Sequence, residues 1–151
     1  MLTRCLLAAA ILFVALPATA SEAKKRFHGE TAQGREVRIV VGNDGRVQRM
    51  DISWRAVNCR RRGTSFHNET IFRPLRRRAS VDAFAVGGSY VARDRGGIRS
   101  RVRVSARGTR TVDPANPEAE QWSGSFRARV TVRRGGRVLD RCRLDTTWSA
   151  R

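Results

Sequence analysis

Arginine and apolar side chains alternate with a period of two along the C-terminal half of this chain. Ile98, Val102, Val104 and Ala106 point one way, and Arg99, Arg101, Arg103 and Arg107 the other. Phe126, Ala128, Val130 and Val132 alternate with Arg127, Arg129 and Arg133. Cys142, Leu144 and Trp148 alternate with Arg141, Arg143 and Asp145. Successive side chains of a strand face opposite ways, so this pattern specifies strands with one packed and one wet face. No sustained 3.6-residue period competes with it. A sheet with one dry and one solvated face is antiparallel in ordinary cases.

The turns give provisional registers. Asp44-Gly45 is a hairpin signal, and a two-residue loop there pairs Val41 with Gln48, Ile39 with Met50 and Val37 with Ile52. Trp54 falls on the same face. Val57 and Cys59 have the opposite parity, which predicts a bulge near Arg55-Ala56. Gly135-Gly136 joins the last two strands. A two-residue loop there crosses the faces by setting Val130 opposite Arg141. A three-residue loop, Arg134 to Gly136, pairs Val132 with Val138, Ala128 with Cys142 and Phe126 with Leu144. It also sets Trp122 opposite Trp148 and Asp140 opposite Val130. This second register keeps the large apolar groups on one face and is preferred. Gly96-Gly97 marks another hairpin, where Tyr90 or Val91 can pair with Val102.

Thr109 to Gln121, with Pro114 and Pro117, reads as the longest loop, and Leu75 to Ser80 as a second connection. About seven to nine short strands at this spacing predict an all-β fold, a single antiparallel β-sandwich or β-barrel.

The first twenty residues read as an address rather than structure. Met1 to Arg4 is a basic start, Cys5 to Leu16 an apolar run of twelve, and Ala18-Thr19-Ala20 a cleavage site. This is the layout of a secretory signal peptide, expected over residues 1–20. The run is too short to span a membrane, so no transmembrane segment is expected in the mature chain. The mature chain is then 21–151, a single β domain of 131 residues with a net charge of +17. Its expected compartment is secreted or periplasmic.

Export sets the cysteine chemistry. Cys59 and Cys142 are the only cysteines after residue 20, and a pair in an oxidising compartment reads as one disulfide. A lone pair without C-x-x-C spacing argues against a metal or a catalytic thiol.

The charge is nearly all arginine. The chain has 31 basic and 13 acidic residues, and only Lys24 and Lys25 are lysine. On the preferred register Arg127 faces Arg143 and Arg129 faces Arg141. Like charges directly opposite are destabilising on a sheet. With Arg99, Arg101 and Arg103 on a neighbouring strand, one sheet face becomes a cationic plate offset by Asp145 alone. Arginine grips phosphate, sulfate and carboxylate bidentately, so the expected partner is an anionic polymer or cell-envelope surface. The competing account is an outer face solvated by arginine through coding bias. Specific nucleic-acid recognition is not expected, because no reading helix, zinc finger or aromatic stacking platform accompanies the charge.

A near-repeat offers an enzymatic alternative. Phe27-His28-Gly29-Glu30-Thr31 and Phe66-His67-Asn68-Glu69-Thr70 each put a His and a Glu on one strand face. If the two strands adjoin, His28, Glu30, His67 and Glu69 meet, as in a small nuclease-like hydrolase or a divalent-metal site. Glu118 and Glu120 share a segment, but paired glycosidase carboxylates need a cleft. Nucleophile elbow, P-loop, zinc-protease helix and EF-hand loop are all missing, and no cofactor is expected. Trp54, Trp122 and Trp148 read as core packing. A third alternative is a small apolar-ligand carrier, if a closed barrel leaves its interior unfilled.

Several short motifs run the length of the mature chain. They are Phe27-x-Gly29-x-Thr31-x-x-Gly34, the mid-chain Cys59, Trp122-x-Gly124-x-Phe126, Cys142 and the closing Trp148-x-Ala150-Arg151. In these the chain resembles small exported bacterial β-rich proteins of uncharacterised function. The resemblance implies a secreted, disulfide-linked β domain and carries no catalytic residue with it.

Overall fold

A computed structural model describes residues 24–75, 78–93 and 95–151. The predicted signal peptide, 1–20, lies outside the described residues. The rest forms one antiparallel sheet of nine strands: β1 (Lys25–Thr31), β2 (Glu36–Val41), β3 (Val47–Ala56), β4 (Asn58–Cys59), β5 (Phe66–Phe72), β6 (Ala83–Arg93), β7 (Ile98–Asp113), β8 (Asn116–Arg134) and β9 (Arg137–Ala150). The spatial order is β5-β3-β2-β1-β9-β8-β7-β6, with β4 added beside β9. A single sheet can cover its own apolar face only by curling round it, and this one curls into a nearly closed barrel. The two ends of the order meet through side chains. Thr70 of β5 and Tyr90 of β6 hydrogen-bond at 3.1 Å, and Trp54 Nε1 donates to the same Thr70 hydroxyl at 2.9 Å.

The interior holds the predicted apolar face. Val37, Ile39, Val47, Met50, Ile52, Val102, Trp122 and Phe126 have no accessible surface, so no water-sized void touches them. Trp54 packs on Phe66 and Phe126, and Phe84 lies between Trp122 and Trp148. All three tryptophans are buried, as core packing requires. Gly108 makes the Phe84–Trp148 stack possible: a Cβ there would lie 2.4 Å from the Phe84 ring and 2.8 Å from Trp148.

The hairpin registers bear out the predicted faces and correct several pairings. Val37–Ile52 and Ile39–Met50 pair as expected, but a bulge sets Val41 opposite Val47 rather than Gln48. The ambiguity at Gly96-Gly97 resolves to Tyr90 opposite Val102. The last hairpin closes on a two-residue Gly135-Gly136 turn with Arg134 opposite Arg137, not on three residues. Both glycines have positive φ, 53° and 83°, the backbone a tight twisted hairpin turn needs. A bulge between Val132 and Arg133 then restores the parity that this turn alone would break. Every predicted pair below it moves by two residues. Ala128 faces Leu144, Val130 faces Cys142, Phe126 faces Thr146 and Trp148 faces Gly124 instead of Trp122. Seating the Trp148 indole over a glycine avoids placing two indoles in one slot.

Two other expectations fail. Strand β3 pairs with β5 without interruption from Met50–Phe72 to Ala56–Phe66, so there is no bulge at Arg55-Ala56. The parity change comes at the exposed Val57, where the chain ends β3 and its pairing with β5 and crosses to join β9 as β4. The supposed Thr109–Gln121 loop is a hairpin whose ladder runs on through Thr109–Ser123, Thr111–Gln121 and Val112–Glu120 to Asp113–Asn116. Only Pro114 and Ala115 lie outside it, and the proline supplies the turn. The residues there are polar, so apolar alternation did not mark them as strand.

Cys59 and Cys142 are directly cross-strand partners and form the predicted disulfide, 83 positions apart. Asp140, inward-facing opposite Val132, finds partners in the segment after β4. Its carboxylate accepts from the Thr64 hydroxyl at 2.8 Å, the Arg61 amide at 3.3 Å and the Arg141 amide at 2.7 Å. Burial raises its pKa, but these hydrogen bonds outweigh burial and hold it below the usual aspartate value.

Candidate functional site: an arginine plate on four adjoining strands

The outer face of β6–β9 collects the arginines. Strands β7, β8 and β9 are consecutive neighbours, so the predicted Arg99, Arg101, Arg103, Arg127, Arg129, Arg141 and Arg143 share one continuous face. All seven are exposed. Their pairing differs from the expectation because the β8–β9 register moved by two. Arg127 faces Asp145, with Nε 3.0 Å from the carboxylate, rather than Arg143. Arg129 faces Arg143 rather than Arg141, and Arg141 faces Thr131.

The corrected register builds a longer row. Arg103, Arg129 and Arg143 are directly opposite one another across β7, β8 and β9, and Asn58 of β4 continues the row. Neighbouring strands lie about 4.8 Å apart, so three guanidinium groups rise from adjacent points on a line. A second row joins Arg93, Arg99 and Arg133 across β6, β7 and β8. Arg133 was read from sequence as sharing a strand face with Arg127 and Arg129, but Arg93 was not singled out; the strand order sets both beside Arg99. Arg60, whose amide donates to the Arg141 carbonyl, adds a cation beside β9.

The relief of the plate follows from the side chains between the rows. A depression of about 380 Å³ is lined by Asn58, Arg60, Arg129, Thr131, Arg141 and Arg143. A second, of about 260 Å³, lies among Val91, Arg93, Arg99, Arg101 and Arg133, where Val91 is 53 % exposed. Among the described residues Asp145 is the carboxylate paired with a plate arginine; the exposed Asp113 and Glu118 stand at the far end of the β7–β8 hairpin. Among the described residues no aromatic side chain stands out from this face beside the rows; the aromatics of β7–β9, Trp122, Phe126 and Trp148, all turn inward. A surface of this kind can hold several oxyanions at once by bidentate hydrogen bonds, and offers no aromatic platform on which bases can stack.

The His/Glu constellation does not converge. His28 and Glu30 lie on β1, and His67 and Glu69 on β5, with β2 and β3 between them. That is three strand spacings, about 14 Å. Each His is exposed and paired across the ladder with an arginine, His28 with Arg38 and His67 with Arg55. Glu69 is taken up by Arg38 at 3.3 Å. Glu118 and Glu120 separate as well: Glu118 is exposed, whereas Glu120 is 8 % exposed and held by Lys25 at 3.1 Å and Arg110 at 2.9 Å. Cys59, Cys142 and Asp140 lie close enough together for a metal, but both sulfurs are used in the disulfide.

Compared with known proteins, the chain matches no protein family, no curated protein and no solved structure.

Proposed function

We propose that this protein is an exported, non-enzymatic binding domain that grips an anionic envelope or extracellular polymer through its arginine plate. The observation that carries the reading is the Arg103–Arg129–Arg143 row. Like charges set directly opposite on adjacent strands cost the fold stability. Features that cost stability without improving packing concentrate where a protein binds or reacts. Seven exposed arginines on one face, three of them in a single cross-strand row and Arg127 paired with Asp145, form a field that attracts polyanions and a geometry that can hold their oxyanions. The lack of an aromatic platform directs the preference to phosphate, sulfate or uronate groups rather than to bases.

The apolar-carrier alternative needs room inside the barrel, and the buried core side chains occupy it. The hydrolase alternative needs His28 and His67 together, and they stand on separated strands. The test is to titrate the oxidised protein against a heparin-like glycan, lipopolysaccharide, a wall polymer, and single- and double-stranded nucleic acid at graded salt. The proposal expects one class to be held at physiological salt. Weak binding to all of them, vanishing together as salt rises, would overturn it, because counterion release alone predicts that uniform loss.

A further inference from the structure

A second basic surface lies away from the plate. Strand β8, at the plate's centre, and β3 stand four places apart in the eight-strand order, on opposite sides of the barrel. On the outer face of β1, β2 and β3, a groove of about 760 Å³ is lined by Arg26, His28, Arg38, Arg49, Arg73 and the carboxylate of Asp51. The ladder explains the gathering. His28, Arg38 and Asp51 are successive cross-strand partners, and so are Arg26, Val40 and Arg49. Arg73 follows the last β3–β5 pair, Met50–Phe72, which brings it beside Arg49.

Asp51 is the unusual member. It points to the outer face yet is 6 % exposed, covered by the arginines it binds. Arg49 donates through Nε to Asp51 Oδ1 at 2.7 Å, and Arg38 Nη2 lies 3.7 Å from Oδ2. The hydrogen bond and the adjacent charge hold Arg49 more firmly protonated than usual. Using Nε for Asp51 leaves both terminal nitrogens of Arg49 for another acceptor. Among the described residues, Arg26 and Arg73 have no carboxylate partner. Arg38 is already engaged by Glu36 at 3.4 Å and Glu69 at 3.3 Å as well as by Asp51, so Arg26, Arg73 and the terminal nitrogens of Arg49 are the donors left for a ligand. A planar carboxylate is satisfied by one arginine fork, whereas a tetrahedral oxyanion accepts from several directions. Arg26, Arg49 and Arg73 approach from three different elements.

We propose that this groove is a second anion site, independent of the plate, that takes a phosphoryl group on a larger molecule, with Asp51 positioning Arg49 to receive it. The groove's volume of about 760 Å³ exceeds what one phosphoryl group fills, which leaves room for the rest of the ligand. The probe is sodium pyrophosphate, titrated into the oxidised protein at physiological salt while the arginine Nε–Hε and backbone amide resonances are followed. The variants are Arg49→Gln, Arg26→Gln and the plate variant R103Q/R129Q/R143Q. Saturable shifts are expected at Arg49 and along β1–β3, weaker by about tenfold in each groove variant, the size of one charge-assisted hydrogen bond. Arg26 is exposed, so its substitution tests the site even if the Arg49 variant folds poorly. In the plate variant the shifts at Arg49 and along β1–β3 should titrate as in the parent, whether or not the plate itself binds pyrophosphate or a polymer. Shifts confined to the plate arginines, or parental affinity in both groove variants, would overturn the proposal. Malonate bound as tightly as pyrophosphate would overturn the phosphoryl assignment.

Discussion

Replacing Arg129 by Gln should stabilise the protein, which is an unusual outcome for removing a long side chain from a strand. Arg129 stands between Arg103 and Arg143 and faces both directly. Each directly opposed like-charge pair costs a few tenths of a kcal/mol, so removing the middle charge relieves about 0.4–1 kcal/mol. For a domain of this size that is a rise of about 1–4 °C in melting temperature. The control lies two residues away on the same strand. Arg127 pairs with Asp145 at 3.0 Å, with the two side chains 69 % and 65 % exposed, so Arg127→Gln should be neutral or cost up to about 0.5 kcal/mol. The assay is thermal and urea unfolding of both variants and the parent at about 10 mM and 1 M salt. Salt shortens the screening length from about 30 Å to about 3 Å, so the Arg129 gain should shrink at the higher concentration. Equal behaviour of the two variants at low salt, or destabilisation by Arg129→Gln, would refute the claim that the row is held against its own repulsion.

Three further outcomes test the fold. Reducing the Cys59–Cys142 bond, or replacing both cysteines by Ser, should lower the urea midpoint; the chain-entropy cost of a closed loop spanning 83 positions is about 4.5 kcal/mol before strain is subtracted. Gly108→Ala forces a methyl group into the Phe84–Trp148 stack and should cost about 1–3 kcal/mol, read by unfolding and by loss of near-ultraviolet circular dichroism. Asp140 is held below the ordinary aspartate value of 3.8, so its stabilising contribution is complete above that pH and is lost as pH falls through the lower folded value. Urea midpoints measured from pH 6 to pH 2.5 should therefore fall more steeply for the parent than for Asp140→Asn.

Much of this fold was legible because one signal dominates it. The alternation of arginine with apolar residues identified β7, β8 and β9 and both of their faces, and the arginine face is the candidate site. Pairing was harder to read, because a bulge changes register without changing which residues face inward. The bulge at Val132/Arg133 moved Arg129 from Arg141 to Arg143 and Arg127 from Arg143 to Asp145, while every residue kept its face. The Thr109–Gln121 stretch was missed because its ladder is continued by backbone pairing under polar side chains. Arg93 entered the plate only through strand order, which no local pattern encodes, whereas the alternation showed which face Arg133 shares and only its pairing with Arg99 was hidden. The Arg49–Asp51 pair left no mark either: residues two apart on one strand face share a side, but nothing in the sequence shows that their neighbours will bury the carboxylate.

The central claim is that a specific set of arginines, rather than net charge, holds the polymer. The direct measurement is the salt dependence of binding to the best polyanion for the parent and for R103Q/R129Q/R143Q. If the row makes the contacts, the variant binds more weakly and its slope of log affinity against log salt is shallower by about 2–3. If affinity and slope are unchanged after three charges are removed from the row, binding belongs to the diffuse charge of the whole surface, and the plate is not the site.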